Sequence, residues 1–252
     1  MSKRQGTWEH LEKLAEDMKG LHLKQLFAED TRRFDKYSLQ TDQILFDYSK
    51  NLITDDVMSG LLDLAKEVGL SEWREKMFSG GRINMTEDRP VLHVALRNRL
   101  DNSIEVDGVN VMDLVGEELR KMEAFVGQVR SGEWRGYSGK RITDVVNIGI
   151  GGSNLGPQMV TEALSKYSDD KLRLHYVSNV DRMQIAQVLR PLDPKTVLFV
   201  VSSKTFTTRE TLTNAKTARN WLFASSFDET VMPQHFVAVT ANRANALEFG
   251  LP

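Results

Sequence analysis

From residue 144 to the end of the chain, short uninterrupted apolar runs alternate with helix-length stretches, and this alternation restricts the fold more than any other feature. Asp144 opens the run Val145-Val146-Asn147-Ile148-Gly149-Ile150, and further runs cover 172–177, 197–201 and 236–239. The stretches between them read as helices over 155–165, 183–189 and 208–223, with one more over 241–249. Strands separated by segments of that length do not form hairpins; they form a parallel sheet with right-handed helical crossovers. Continuous apolar strands are what a sheet covered on both faces requires. The predicted fold class is α/β, with a parallel-sheet domain over 113–252 that follows a mostly helical region over 1–112.

That first region has a different pattern. Residues 1 to about 37 read as helix, with Thr7 as N-cap and a break near Gly20. Thr54 caps a helix that ends at Gly69, and Ser71 caps a shorter one that reaches Phe78. Pro90 opens a helix over 90–97, and a long helix covers 111–129. One short strand-like run, 44–48, interrupts the series.

Two strand ends carry the residues suited to chemistry. The first reads Ile148-Gly149-Ile150-Gly151-Gly152-Ser153-Asn154-Leu155-Gly156-Pro157. Here a strand runs into glycines, then a hydroxyl, then a helix with proline expected in its first turn. Glycines let the backbone approach an anion, and free N–H groups at a helix start point at it with the dipole behind them. The second reads Val201-Ser202-Ser203-Lys204-Thr205-Phe206-Thr207-Thr208-Arg209-Glu210. Its hydroxyls and N–H groups are donors that suit phosphate oxygens. Each run alone has a plainer reading: a tight strand-to-helix turn for the first, and a solvated loop with cap residues for the second. Lys204 also reads as an ordinary exposed lysine, and Glu210 as a first-turn glutamate favoured by the helix dipole. Placed together at carboxyl ends of strands in one parallel sheet, the two runs favour a phosphate ligand. A dinucleotide fingerprint fails because Asn154 stands where its last glycine belongs, and no P-loop exists.

Composition removes other classes of function. The chain has 252 residues, 40% hydrophobic and 27% charged, as soluble globular proteins do. A net charge of -2 gives no basic face for a nucleic-acid partner. There is no cysteine, hence no disulfide framework and no thiolate metal site, and the five histidines lack ligand spacing. No apolar run approaches the roughly 18 residues that would span a membrane. A cytoplasmic protein without metal, membrane or nucleic-acid partner is expected.

The residues also resemble a known family, the phosphoglucose isomerases (glucose-6-phosphate isomerases). The run 148–157 resembles that family's first phosphate loop, and Ser202 to Thr208 followed by Glu210-Thr211 resembles its second. Two upstream segments, 77–84 and 86–97, are similar to the family as well, and the motifs keep its order along nearly the whole chain. Arg209 and Pro90 are small departures. The resemblance implies a sugar-isomerase (SIS) domain in which Ser153, Ser203, Lys204, Thr205 and Thr208 bind the 6-phosphate, Gly152 brings backbone near the sugar, and Glu210 lines the pocket. It implies interconversion of glucose 6-phosphate and fructose 6-phosphate, in glycolysis and gluconeogenesis, with no cofactor, by a homodimer. It also implies that the glutamate base, a ring-opening histidine and a late lysine come from a second domain beyond Pro252. On that expectation the chain is an N-terminal fragment that binds the sugar phosphate, holds no catalytic residue and is inactive alone. The alternatives are a non-catalytic sugar-phosphate-sensing module of the same fold and, more weakly, an amino-sugar isomerase domain.

Overall fold

The computed structural model describes residues 3–100, 102–169 and 171–251. The chain divides into two compact units, Met1–Glu117 and Glu118–Pro252. The division falls within the long helix α7 (Val111–Ser131), C-terminal to the 112/113 boundary expected from the sequence.

The first unit contains α1 (Lys3–Asp17), α2 (Leu23–Glu29), α3 (Arg33–Lys36), β1 (Ser38–Gln40), β2 (Leu45–Asp47), α4 (Asp55–Glu67), α5 (Leu70–Phe78), α6 (His93–Leu96), β3 (Glu105–Val106) and β4 (Val109–Asn110). The apolar run at 44–48 forms β2, paired antiparallel with β1. The stretch expected to be helical over 1–37 breaks near Gly20 as expected, between α1 and α2, and once more between α2 and α3. Thr7 is not a cap: it lies inside α1, where its hydroxyl donates to Glu67 Oε1 at 2.8 Å. Helix α5 starts at Leu70 on a left-handed Gly69 (φ 71°), one residue before the expected Ser71 cap. The helix expected over 90–97 shrinks to one turn, α6. Arg33, 3% exposed, organises the turn before α4 by donating to the carbonyls of Ser49, Asn51 and Ile53. Those carbonyls lie outside any ladder, so a buried cation satisfies them instead.

The second unit is the α/β sheet. Its elements are β5 (Asp144–Ile148), α8 (Gly152–Ala163), β6 (Arg173–Val177), α9 (Arg182–Leu189), β7 (Val197–Ser202), α10 (Arg209–Ser226), α11 (Met232–His235), β8 (Phe236–Val239) and α12 (Arg243–Phe249). All four strands are parallel in the order β6-β5-β7-β8. The alternation of β7 covers both faces. Val197, Phe199 and Val201 pack into the core that holds Ile185 and Leu189 of α9 and Ala215, Ala218 and Leu222 of α10. Leu198 points the other way, against Val129 and Phe125 of α7 and Trp134.

The order of strands also fixes where a ligand can sit. From β5 the chain crosses through α8 to β6 on one side, and from β7 it crosses through α10 to β8 on the other. Neighbouring strands whose connections leave in opposite directions open a crevice at their carboxyl ends. The opposite end of β5 is closed by Asp144, 1% exposed, which takes two bonds from Arg173 (2.8 and 2.7 Å), one from Thr143 (2.8 Å) and one from His175 (2.9 Å). Burial pushes this carboxyl up, but the bonds from Arg173, His175 and Thr143 outweigh it and hold the value at about 2. Its contribution to stability is therefore in place above the ordinary 3.8 and is lost only as pH falls through about 2. Among the described residues no helix is long and apolar enough to cross a membrane.

His235, the last residue of α11 and the one before β8, is fully buried. Its Nε2 accepts the N–H of Tyr137 at 2.9 Å, so its Nδ1 carries the proton and donates to the Val197 carbonyl at 2.6 Å. Gly136 permits this approach, since a Cβ there would lie 2.6 Å from His235 Cε1 and 2.3 Å from the Lys195 carbonyl oxygen. Burial lowers the His235 pKa below 6.5. The unfolded chain takes up this proton near 6.5 while the folded chain refuses it, so the stabilisation is complete above that value and fades as pH falls through the lower folded value. The melting temperature is expected to drop between pH 7.5 and 5.5, and His235→Gln to flatten part of that drop. Identical pH profiles for the two proteins in differential scanning calorimetry would remove His235 from the account.

Candidate anion site at the carboxyl edge of the sheet

The loops after β5 and β7 start from paired residues, Ile148 opposite Val201. Parallel strands lie about 4.8 Å apart, so both loops leave one edge side by side. In the first, residues 149–153, the helix begins earlier than the sequence suggests, at Gly152. Gly151 precedes it at φ 57°, ψ -126°, a conformation glycine alone adopts readily. Gly149 lets the loop fold over itself: a Cβ there would lie 2.8 Å from the Ser153 carbonyl oxygen.

Because α8 starts at Gly152, Pro157 falls inside the helix and not in its first turn. Proline has no N–H to give to the carbonyl four residues earlier, which is that of Ser153. Asn147, on β5, supplies the missing bond: its Nδ2 donates to the Ser153 oxygen at 3.0 Å, while its Oδ1 accepts from Ser202 Oγ at 3.0 Å. One amide side chain thus ties the first loop to the end of β7, where the second loop begins. Sequence reasoning passed over Asn147. Its signal was a lone polar residue inside a strand of Val and Ile.

In the second loop, Ser203 Oγ lies 3.1 Å from Thr208 Oγ1, and Thr205 Oγ1 lies 2.7 Å from Thr207 Oγ1. Thr208 is the N-cap of α10, yet its side chain makes no capping bond and turns to Ser203 instead. Among the described residues, no acceptor takes the backbone N–H of Gly151 or Gly152 in the first loop, or of Thr205, Thr207 or Thr208 in the second. Such donors, at the starts of α8 and α10 with both helix dipoles behind them, give this edge a positive potential without relying on any one cation.

The expected residues therefore gather at this edge. Gly152 and Ser153 sit in the first turn of α8, Ser203, Lys204 and Thr205 in the second loop, and Thr208 and Glu210 at the start of α10. Ser203 is 4% exposed, whereas Gly152, Lys204 and Thr205 are open to solvent. Beneath the loops, Asn154 Oδ1 and Thr211 Oγ1 are buried without a partner, one in the first turn of each helix. The described residues contain no group of three His, Cys, Asp or Glu that could hold a metal.

Fold and site together define an α/β protein with hydroxyls and unclaimed main-chain amides grouped at the switch point of its parallel sheet. A model of the phosphoglucose isomerase family matches residues 47–252. Glucose-6-phosphate isomerase 1 of Colwellia psychrerythraea is 58% identical over 253 residues, covering 100% of this chain and 46% of that protein. The glucose-6-phosphate isomerase of Pseudoalteromonas translucida is 56% identical over 245 residues, covering 97% and 45%. The crystal structure of a glucose-6-phosphate isomerase from Chlamydia trachomatis superposes with a TM-score of 0.77 at 27% identity, over 94% of this chain and 45% of that one. The chain belongs to the phosphoglucose isomerase family, and it spans about half the length of the curated relatives it matches.

The bridge through Asn147 is open to measurement. Asn147→Ala leaves the Ser202 hydroxyl and the Ser153 carbonyl without their partners, at an expected cost of about 1–3 kcal/mol in urea unfolding. A change smaller than about 0.5 kcal/mol, the level of an indifferent surface substitution, would show that water replaces the amide.

Proposed function

We propose that this chain is the sugar-phosphate-anchoring part of a glucose-6-phosphate isomerase, which interconverts glucose 6-phosphate and fructose 6-phosphate. The observation that carries the reading is the set of unclaimed N–H groups on two adjacent loops, with Ser153, Ser203, Thr205 and Thr208 hydroxyls beside them. A dianionic monoester needs several donors arranged around it, and helix starts with free amides provide them. Lys204 adds charge, and Gly152 lets the backbone close on the sugar.

The reaction moves a proton between neighbouring carbons of the opened sugar. It requires a carboxylate base, a group that aids ring opening and a cation near the developing oxyanion. In this reading those groups belong to another part of the protein, and none of the 252 residues acts as the base. Glu210 lies in the first turn of α10, beside the phosphate loop. The reacting carbons lie at the other end of the substrate, so Glu210 lines the pocket and does not reach them. Anchoring the phosphate fixes the distance from anchor to reacting carbon. On the same reading the 252 residues alone have no isomerase activity, and the whole protein is a cytoplasmic homodimer that needs no cofactor and binds no nucleic acid.

Calorimetric titration of the full-length protein with fructose 6-phosphate tests the anchor. Each bond to the charged ester contributes about 1.5–3 kcal/mol, so Ser203→Ala combined with Thr208→Ala should weaken binding at least tenfold. Unchanged affinity in a folded double variant would place the phosphate elsewhere.

A further inference from the structure

An anion site built from main-chain amides has a built-in hazard: each peptide that offers an N–H also carries a carbonyl, and a carbonyl turned inward repels the ligand. In the second loop every carbonyl from 203 to 205 is taken by a donor. Ser203 accepts from the N–H of Phe206 at 3.2 Å. Lys204 accepts from the N–H of Ala241 at 2.9 Å and from Thr240 Oγ1 at 3.1 Å. Thr205 accepts from Asn245 Nδ2 at 3.0 Å. The last three donors come from the segment after β8 and from α12, elements that hold none of the proposed ligand-binding residues.

The same helix seats the strained residue of the loop. Phe206 has φ 54°, in the left-handed region where a non-glycine residue is uncommon. Its ring is 2% exposed and meets the ring of Phe249, on α12, edge to face at 5.8 Å. Arg219 of α10 fixes Phe249 in turn, with its guanidinium 5.1 Å above that ring and Nη1 donating to the Phe249 carbonyl at 3.4 Å. A left-handed phenylalanine persists only where its surroundings over-determine it, and this packing does so.

We infer that Asn245 is a positioning residue for the phosphate loop: by holding the Thr205 carbonyl on the α12 side, beside the Phe206–Phe249 contact, it keeps that carbonyl, which lies between the free amides of Thr205 and Thr207, off the ligand's side. The inference rests on the anchoring role proposed above for the second loop. Without Asn245 the 205–206 peptide keeps only the 3.2 Å bond from the Phe206 N–H to Ser203, so the Thr205 carbonyl can tilt to the anion's side and the loop must reorder each time a ligand binds. Affinity then falls because ordering is added to the cost of binding. The chemical step, which takes place at the far end of the substrate, keeps its rate.

The test uses the full-length protein with fructose 6-phosphate as substrate and inorganic phosphate as competitive inhibitor, at a temperature well below melting. Asn245→Ala should raise both KM and the phosphate inhibition constant by roughly five- to twentyfold, with kcat within about twofold of the parent. Asn245→Gln, which keeps an amide donor, should recover part of the loss. Thr240→Val, which leaves the Ala241 bond to Lys204 in place, should give a smaller shift in the same direction. A lowered melting temperature with KM and phosphate inhibition unchanged would assign Asn245 a purely structural role and overturn the inference. The Ser203→Ala/Thr208→Ala double variant separates the two levels. If it weakens phosphate binding and the Asn245 variants do not, only the positioning role fails. If it too leaves phosphate binding unchanged, the anchor itself is misplaced and the inference falls with it.

Discussion

The side chain of Asn147 joins the two halves of the candidate site, and much of the local architecture follows from its two bonds. It stands on β5, accepts from Ser202 at the end of β7 and donates to the Ser153 carbonyl in the first turn of α8. That carbonyl is available because Pro157 cannot use it. The proline inside a helix, ordinarily a defect worth about 3 kcal/mol, here frees an acceptor at the point where the loop must be fastened. Gly149 and Gly151 provide the room and the dihedral angles, and the amide provides the connection.

The sheet gives this connection its setting. Strands β5 and β7 pair in register along their length, and their crossovers leave in opposite directions, so their two loops have to emerge together. Apolar packing on both faces holds the strands, with β7 dividing its side chains between the α9–α10 face and the α7 face. At the amino end, Asp144 with Arg173 and His175 fastens β5 to β6. The rigid parts of the unit are thus concentrated under and behind the loops, and the loops present donors whose own acceptors are missing. Donor loops held on such a scaffold would leave little reorganisation for the moment a ligand binds.

How much of this could be read from the sequence depends on the distance over which each feature is decided. Strand and helix alternation is local, and it placed the parallel sheet and the neighbourhood of both loops. The placement of Gly152, Ser153, Ser203 and Thr208 at two neighbouring strand ends was legible because the glycine and hydroxyl runs directly follow apolar strands, although each run alone also reads as a plain turn or a capped loop. The start of α8 was not. Gly152 is a poor helix former, and only the loop geometry makes it the first residue of the helix. Asn147 was illegible as a bridge because its two partners lie on other elements, and α12 was illegible as a support for the same reason. In the first unit, the helical stretch read over residues 1 to 37 breaks near Gly20 as read, and divides again before α3 because tertiary contacts decide its ends. Arg33 reaching three carbonyls, and Thr7 bonding Glu67, leave no trace in the local pattern.

A crystal structure of the full-length protein with fructose 6-phosphate bound bears most directly on the central claim. The account predicts phosphate oxygens at hydrogen-bonding distance, about 2.7–3.1 Å, from the Gly152 and Thr205 amides and from the hydroxyls of Ser153, Ser203 and Thr208. A phosphate bound elsewhere, with those amides facing only water, would contradict it.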